Sequence, residues 1–177
     1  MMRWVKRFLL LLVLLFAGLW FCRGQLFRAV VDYHIVGSRH GARPLFSTGG
    51  SVADAEAAID LALDTTAARL HFSTGSVKND PVELVQGSPA NCIGYAALCA
   101  ALIKGHLQQA GNSERFEVEP VVGKLFIGDV DLHTFFNSPF WKDHDIVRVK
   151  DRASGKVILI DPTLYDALGI ARVRGAL

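Results

Sequence analysis

The sequence contains few cysteines and none of the patterns that would indicate a disulfide framework. Its 177 residues include three cysteines, Cys22, Cys92 and Cys99. The last two lie on one predicted helix, where a separation of seven residues places them about 10.5 Å apart along the axis. A disulfide requires Cα atoms within about 7 Å of each other. This pair is therefore excluded, and the chain is expected to fold without disulfides.

Closely spaced metal ligands are also missing from the sequence. Asp129, Asp131 and His133 are possible ligands at every second position. The sequence has no pair of ligands at a helical spacing such as H-x-x-x-H to accompany them. Structural and catalytic zinc sites usually show such spacing. We therefore expect neither a metal ion nor another cofactor.

Basic residues are in excess only at the N-terminus. Five of the 19 Lys and Arg residues precede the first acidic residue, Asp32, and the rest of the chain has 14 bases against 17 acids. The folded part is thus mildly acidic. Because nucleic-acid binding requires a basic face, we expect no nucleic-acid partner.

An uncharged apolar segment, Phe8 to Cys22, follows three basic residues near the N-terminus. This pattern is typical of a signal peptide or a signal anchor. The bulky residues before Arg23 offer no small-x-small cleavage site, which favours an uncleaved anchor over a secreted protein. The basic flank predicts an N-terminus inside the cytoplasmic membrane and a domain outside it, in the periplasm if the source is a bacterium. The apolar segment alone spans only about 22 Å of helix, against a hydrocarbon core of about 30 Å.

The remaining chain has the length and apolar content of one α+β domain. We divide the sequence into a membrane segment (1–24), a linker and loop (25–50) and a domain (51–177). The stretch from Leu26 to Val36 is compatible with either a strand or a linker. Pro120, between two strand-like stretches, indicates a sheet edge or a bulge.

Two helices are predicted in the domain. The first begins at Ser51, with Asp54 three residues on as a variant of the capping box. The second runs from Cys92 to about Ala110 and ends at Gly111. Its first half is apolar all round, which indicates burial on every side.

Cys92 is the candidate nucleophile. It follows Asn91, a favourable N-cap residue, and therefore lies in the first turn of the helix. Free backbone N–H groups and the helix dipole stabilise a thiolate there. The alternative is a small core residue, the role that we expect for Cys99 in the middle of the helix.

A hairpin supplies a candidate base and its orienting acid. A turn at Asp151 to Ser154 would pair His144 with Asp161, with Cβ atoms about 5 Å apart on one face of the sheet. A register shifted by two residues would keep them on that face. The pair predicts a Cys92–His144–Asp161 triad. The alternative is that both are ordinary polar residues at strand ends.

Three segments together resemble the transglutaminase-like superfamily. In that family a cysteine opens a helix, a histidine opens a strand, and Asp-Pro-Thr ends the next strand. The segments are NCIGYAALCAALI (Asn91 to Ile103), HDIVRV (His144 to Val149) and ILIDPTLYD (Ile158 to Asp166). The resemblance extends from Gln86 to Asp166, roughly half the chain. It implies a papain-like α+β core, with the cysteine helix packed on an antiparallel sheet. It also implies Cys92 as nucleophile, His144 as base and Asp161 as orienting acid.

The sequence departs from the family pattern where an aromatic residue usually follows the histidine, since Ile146 and Val147 stand there. A second resemblance is the Gln-Gly-Ser that precedes the cysteine in papain-like proteases, where the glutamine donates to the oxyanion. It implies an oxyanion role for Gln86, with a solvated loop residue as the alternative. The separation of Cys92 and His144 by 52 residues is too short for a true papain. Four aromatic residues before the base are expected to pack in the core rather than to wall the cleft: Phe135, Phe136, Phe140 and Trp141.

These features predict thiol-dependent acyl chemistry on an amide or peptide substrate outside the cytoplasmic membrane. A cysteine peptidase, an amidase and a transglutaminase-like acyltransferase would use the same residues. Hydrolysis is favoured because water is abundant. The alternative from another class is a non-catalytic binding or assembly module of an envelope complex that retains a relic triad. A third is a scaffold with a structural cysteine.

The charge pattern around the apolar segment generates a prediction about topology. When the chain is expressed in a bacterium, protease added to spheroplasts should digest the domain from Arg28 onward, since the basic N-terminus stays inside. The digestion is followed by immunoblotting with an antibody against the domain. A domain that survives in intact spheroplasts and is lost only after lysis would contradict this topology.

Overall fold

The structure, a computed structural model, describes residues 2–39, 41–46, 52, 54–75, 77–138 and 141–176. The chain is α+β, with helices packed on a largely antiparallel sheet and an apolar helix at the N-terminus. The helices are α1 (Met2–Phe21), α2 (Arg23–Val30), α3 (Ala55–Arg69), α4 (Pro81–Leu84), α5 (Cys92–Gln109) and α6 (Pro162–Leu168), with a 3₁₀ turn at Leu132–Phe135. The strands are β1 (Val31–Ser38), β2 (Leu70–Phe72), β3 (Ser88–Ala90), β4 (Phe116–Ile127), β5 (Val130–Asp131), β6 (His144–Asp151), β7 (Val157–Ile160), β8 (Arg172–Val173) and β9 (Gly175–Ala176).

Helix α1 is longer than the apolar segment alone because it includes the basic flank. Its 20 residues correspond to a length of about 30 Å, close to the hydrocarbon thickness of a bilayer. The window Trp4–Phe21 has a mean hydropathy of 1.9, and none of it is buried in the protein. The helix is therefore long and apolar enough to cross a membrane, a property that a signal sequence shares.

The main sheet has the strand order β8-β7-β6-β4-β1-β9, and β5 pairs with β4. Neighbours in this sheet are antiparallel except β1 and β9, which are parallel. Strands β2 and β3 form a separate parallel pair. Strand β4 is central and twelve residues long, so it positions both β1 and β6 beside the site.

Strand β1 corrects the predicted domain boundary. Its residues pair with β4 from Val31 opposite Ile127 to Ser38 opposite Val121. Tyr33 on this strand is 1% exposed. The part of the chain assigned to a linker and loop (25–50) thus contributes a strand of the core sheet. The sequence left Leu26 to Val36 compatible with either a strand or a linker, and no local turn signal decided between the two.

Helix α5 is buried between α3 and the sheet, as its apolar sequence predicts. Asn91 caps it, and Gly111 follows its end with a φ of 72°. Cys99 in its middle has no exposed surface, and burial raises the pKa of its thiol to about 12. The predicted structural role of Cys99 is confirmed by this burial.

Helix α3 begins later than predicted. Asp54 is its N-cap, and its side chain accepts a hydrogen bond from the Ala57 N–H at 2.9 Å. Ser51, the predicted start, lies outside the described residues. The carboxylate of Asp54 is the stronger cap because it is charged at the positive end of the helix dipole.

Pro120 lies inside the central strand β4 and not at an edge or a bulge. It is opposite Val147 of β6, and its carbonyl accepts a hydrogen bond from the Arg39 N–H at 3.0 Å. In a strand, the N and O of one residue point to the same side, so the missing N–H of Pro120 faces the point where β1 ends. The proline therefore removes no donor from the β4–β6 pairing.

The hairpin register differs from the predicted one by two residues. Arg148 is opposite Leu159 and Lys150 is opposite Val157. The Asp151 N–H bonds to the Lys156 carbonyl at 2.9 Å, so the turn begins one residue later than predicted. It ends on Gly155, whose φ of 73° is favourable only for glycine.

The chain around Leu45 packs directly against α5 at a glycine. A Cβ on Gly105 would lie 1.8 Å from the Leu45 carbonyl oxygen, and the Leu45 N–H bonds to the Ala101 carbonyl at 2.9 Å. Gly105→Ala should therefore lower the free energy of unfolding by about 3 kcal/mol, the upper range for overpacking. Urea unfolding in detergent solution measures this change.

The control is Gly24→Ala on α2, where a Cβ would meet nothing within 4 Å. This change should leave stability equal or raise it slightly, because alanine favours a helix. Equal stability of the Gly105→Ala and wild-type proteins would contradict the close packing of the chain at Leu45 on α5.

Candidate active site

The first turn of α5 places Cys92 beside the start of β6. The Asn91 side chain accepts a hydrogen bond from the Gly94 N–H at 3.3 Å, which leaves Cys92 as the first residue of the helix. Its side chain is largely buried, with the residue 7% exposed. The positive end of the helix dipole therefore acts on a sulfur atom that is partly shielded from water.

His144 and Asp161 are in direct contact. The His144 Nε2 lies 2.8 Å from the Asp161 Oδ2. With the observed register, the two residues are diagonal neighbours on one face, which is the geometry expected for a shift of two residues. Cys92 lines the same cleft as His144 and contributes to the raised pKa of this histidine. Because Nε2 is occupied by Asp161, Nδ1 is the nitrogen left for the sulfur.

Asp161 is held by two further hydrogen bonds. Its Oδ2 also accepts from the Tyr33 hydroxyl at 2.7 Å, and its Oδ1 accepts from the Leu164 N–H at 2.9 Å. The latter bond caps α6. The carboxylate is 1% exposed, so each of these donors compensates for lost solvation.

The charges of this pair stabilise each other. Burial lowers the pKa of His144, but the Asp161 carboxylate and Cys92 outweigh burial and hold that pKa well above its usual value. Burial raises the pKa of Asp161, yet the imidazolium and the two other donors keep it below its usual value. The site therefore favours an imidazolium–carboxylate ion pair at neutral pH.

Tyr33 was not identified from the sequence. Burial and the neighbouring Asp161 raise the pKa of its phenol, so the hydroxyl remains protonated and donates to the carboxylate. Its ring is 6.2 Å from the His144 ring. Only the pairing of β1 with β4 brings this residue to the site, and no local sequence signal indicates that pairing.

A second carboxylate, Asp145, lies beside Cys92 and was also not identified from the sequence. Its Oδ2 is 3.9 Å from the Cys92 sulfur, on the opposite face of β6 from His144 because side chains alternate along a strand. Asp145 has no exposed surface. Arg39 binds it with two hydrogen bonds, Nε to Oδ1 at 2.7 Å and Nη2 to Oδ2 at 3.2 Å. This pairing compensates a negative charge that would otherwise oppose a thiolate.

An apolar cleft of about 300 Å³ opens next to Cys92. Phe136 and Trp141 line it and remain partly exposed. Their rings are 5.5 Å apart. The expectation that these aromatic residues pack in the core is therefore wrong for them, and Phe135 is also exposed. Phe140 lies outside the described residues.

Gln86 is not brought to the cleft. It is exposed and lines a separate depression with Lys78 and Glu83. The turn at Gly87, with a φ of 94°, leads into β3, which pairs with β2 away from the main sheet. The Gln-Gly-Ser resemblance therefore corresponds to different geometry here, and an oxyanion role for Gln86 has no structural basis.

Asp131 and His133, two residues of the alternating pattern that was considered for metal binding, form local hydrogen bonds instead. The Asp131 side chain accepts from Lys124 Nζ and from the His133 N–H, both at 2.9 Å. His133 Nδ1 lies 2.6 Å from the Trp141 carbonyl, so this nitrogen is the donor. In the part of the chain that the structure describes, no group of three potential ligands is close enough to hold a metal ion.

Comparisons of the chain with family models, with curated proteins and with solved structures find no match. A function is therefore inferred from the residues and geometry of the site.

The Arg39–Asp145 pair generates a prediction about thiol reactivity. Arg39→Gln should leave the Asp145 carboxylate uncompensated beside Cys92, which lowers the thiolate fraction and slows iodoacetamide labelling severalfold near neutral pH. It should also cost about 2 kcal/mol of stability, the penalty for removing the partner of a buried charged group. Labelling is measured by mass spectrometry and stability by urea unfolding.

Two further variants make this test specific. Arg39→Gln combined with Asp145→Asn removes both charges, so labelling and stability should recover. Arg115→Gln breaks a comparable two-bond pair with Asp151 at the far end of the hairpin and should leave labelling unchanged. A double variant that labels no faster than Arg39→Gln would contradict the electrostatic role of the pair.

Proposed function

We propose that this domain is a cysteine-dependent amidase or peptidase that acts through a Cys92–His144–Asp161 triad. The observation that supports this most directly is the 2.8 Å contact between His144 and a fully enclosed Asp161, next to a cysteine at a helix N-terminus. A nucleophile, a base and an orienting acid are the parts that covalent acyl transfer requires.

Each residue has a defined part in the reaction. The Cys92 thiolate attacks the amide carbonyl, and the backbone N–H groups at the start of α5 stabilise the oxyanion. The His144 imidazolium donates its proton to the leaving amine nitrogen as the C–N bond breaks. His144 then removes a proton from water, which attacks the thioester and releases the acid. Asp161 stabilises the imidazolium and holds the ring orientation throughout.

The architecture supports the proposed relation to the transglutaminase-like superfamily and a papain-like core. A buried helix carries the cysteine in its first turn and packs on β4 and β6 of an antiparallel sheet. The histidine opens one strand and the aspartate follows the end of the next. These placements are the ones that the resemblance implies for the cysteine, histidine and Asp-Pro-Thr motifs.

We place the domain outside the cytoplasmic membrane, anchored by α1. The helix has the length of a single span, and its first turns are basic, with no acidic residue before Asp32. Trp4 and Trp20 near its two ends suit the two membrane interfaces. The substrate is an amide on a peptide, protein or lipid that reaches this surface.

The experiment that tests the triad compares labelling of Cys92 and Cys99 by iodoacetamide. In the wild type, Cys92 should react at mildly acidic pH, because it lies at a helix N-terminus beside a candidate base, while the buried Cys99 should not. His144→Ala should slow Cys92 labelling about tenfold or more near pH 6.5, because the thiol loses the group that takes its proton. Rates are read by mass spectrometry of the labelled peptides.

Asp161→Asn should slow labelling less than His144→Ala does. Asparagine can still cap α6 through Leu164 and can still bond to the ring, but it does not stabilise the imidazolium. Because the two residues act as a unit, the double variant should resemble His144→Ala alone.

His71→Ala is the matched control, since this exposed histidine of β2 is not among the residues that line the cleft. His133→Ala tests the other histidine that lines the cleft. Circular dichroism must show each variant folded. If folded His144→Ala labels as fast as the wild type while His133→Ala is slow, the base is His133 and the proposed triad is wrong. Equal labelling in all variants would favour a binding module with a relic triad.

A further inference from the structure

The cleft next to the thiol has an apolar wall. Phe27 of α2, Leu125 of β4 and Leu164 and Ala167 of α6 contribute to this wall together with the aromatic residues of the 132–141 segment. Outside the triad, the polar side chains that line the cleft are Tyr33, whose hydroxyl already donates to Asp161, and His133, Asp143 and Thr163. This composition is unusual for a site that binds an extended peptide, whose backbone needs a partner for every N–H and C=O group.

The polar atoms of the cleft suffice for a single amide group. His133 Nε2 and Thr163 Oγ1 are buried and have no hydrogen-bond partner among the described residues. Because His133 Nδ1 donates to the Trp141 carbonyl, Nε2 is an acceptor. One acceptor and one hydroxyl match the N–H and C=O of the scissile amide, and apart from Tyr33 and Asp143 the remaining lining side chains outside the triad are apolar or aromatic.

The mouth of the cleft exposes aromatic surface. Phe72, Phe136 and Trp141 are each more than 40% exposed, and the adjacent Phe135 is 72% exposed. Large apolar patches of this kind mark ligand grooves or membrane contacts. Tryptophan and phenylalanine beside an apolar cleft are also suited to the bilayer interface.

The cleft is also directly connected to the end of α1. Helix α2 continues α1, since the Cys22 N–H bonds to the Gly18 carbonyl and the Leu26 N–H to the Cys22 carbonyl, both at 2.9 Å. Phe27, in the cleft wall, is therefore about 9 Å along the helix from Phe21, at a rise of 1.5 Å per residue. The headgroup layer occupies about 5–8 Å on each side of the hydrocarbon core.

Arg23 links the end of α1 to the end of α6. It donates hydrogen bonds to the Leu168 carbonyl at the end of α6 and to the Trp20 carbonyl at the end of α1. Its guanidinium also lies 4.4 Å from the centre of the Trp20 ring. Ala167, the neighbour of Leu168, lines the cleft. The cleft is thus held next to the point where α1 would leave the bilayer.

We propose that the substrate is a fatty-acyl amide embedded in the same membrane, with its hydrocarbon chain in this cleft. The inference rests on the proposed function, and it names the substrate class of that site. Cys92 forms a thioester with the acyl carbon, the C–N bond breaks, and the His144 proton passes to the amine. Water then adds to the thioester and regenerates the thiol, so that amide and water give a fatty acid and an amine.

The test compares N-dodecyl iodoacetamide with N-methyl iodoacetamide on the full chain in phosphatidylcholine vesicles. Cys22, which is exposed at the end of α1, reports the concentration of each reagent at the membrane surface. The dodecyl-to-methyl rate ratio of Cys92, divided by that of Cys22, should be about tenfold or more, because burial of about two methylene groups already gives that factor. Mass spectrometry of the labelled peptides measures both sites.

Two variants alter the cleft without touching the triad. Ala167→Phe places a ring in the apolar wall at an exposed position and should remove the dodecyl preference. Phe27→Ser should weaken the preference. Val36→Ser, at an exposed apolar position of β1 outside the cleft, should retain it.

The possible outcomes separate this inference from the proposed function. Fast methyl labelling of Cys92 that depends on His144, without a dodecyl preference, would overturn the acyl-chain substrate and leave the triad intact. A preference for iodoacetyl-Leu-Phe-amide over the dodecyl reagent would assign the cleft to an apolar peptide instead. Labelling of Cys92 that is slow with every reagent and independent of His144 would remove the proposed function itself.

Discussion

The carboxylate of Asp161 is the group on which the site depends. It is fully enclosed and accepts hydrogen bonds from the Tyr33 hydroxyl, the His144 ring and the Leu164 N–H. An enclosed carboxylate without such donors would be strongly destabilising. The strand that carries Tyr33, the strand that carries His144 and the helix that begins after Asp161 must therefore assemble together. The site therefore forms together with the folded domain.

Local signals in the sequence predicted the parts of the site that depend on short-range order. The apolar helix, its Asn91 cap and the position of Cys92 in the first turn follow from propensity and capping. The predicted hairpin register was wrong by two residues, but it still placed His144 and Asp161 on one face of the sheet. This is because side chains on a strand return to the same face at every second residue. An error of one residue would have placed the two side chains on opposite faces.

Contacts between distant parts of the chain could not be predicted in the same way. Arg39 and Asp145 are 106 residues apart, and Tyr33 and Asp161 are 128 residues apart. The segment that holds Arg39 is rich in glycine and arginine, which indicates a loop. Its packing is set by long-range geometry, such as the space that Gly105 leaves for the chain at Leu45. A single sequence carries no local pattern for such contacts, and the Gln-Gly-Ser motif at Gln86 shows that a familiar local pattern can occur in a different geometry.

The ionisation of Cys92 depends on two carboxylates with opposite effects. Transfer of the thiol proton to His144 leaves the net charge of the site unchanged, so local distances decide whether it occurs. Asp161, at 2.8 Å from the ring nitrogen, favours the imidazolium. Asp145, at 3.9 Å from the sulfur, opposes the thiolate by charge repulsion. The bidentate guanidinium of Arg39 offsets this repulsion, and it therefore determines whether the charge-separated pair is the favoured state.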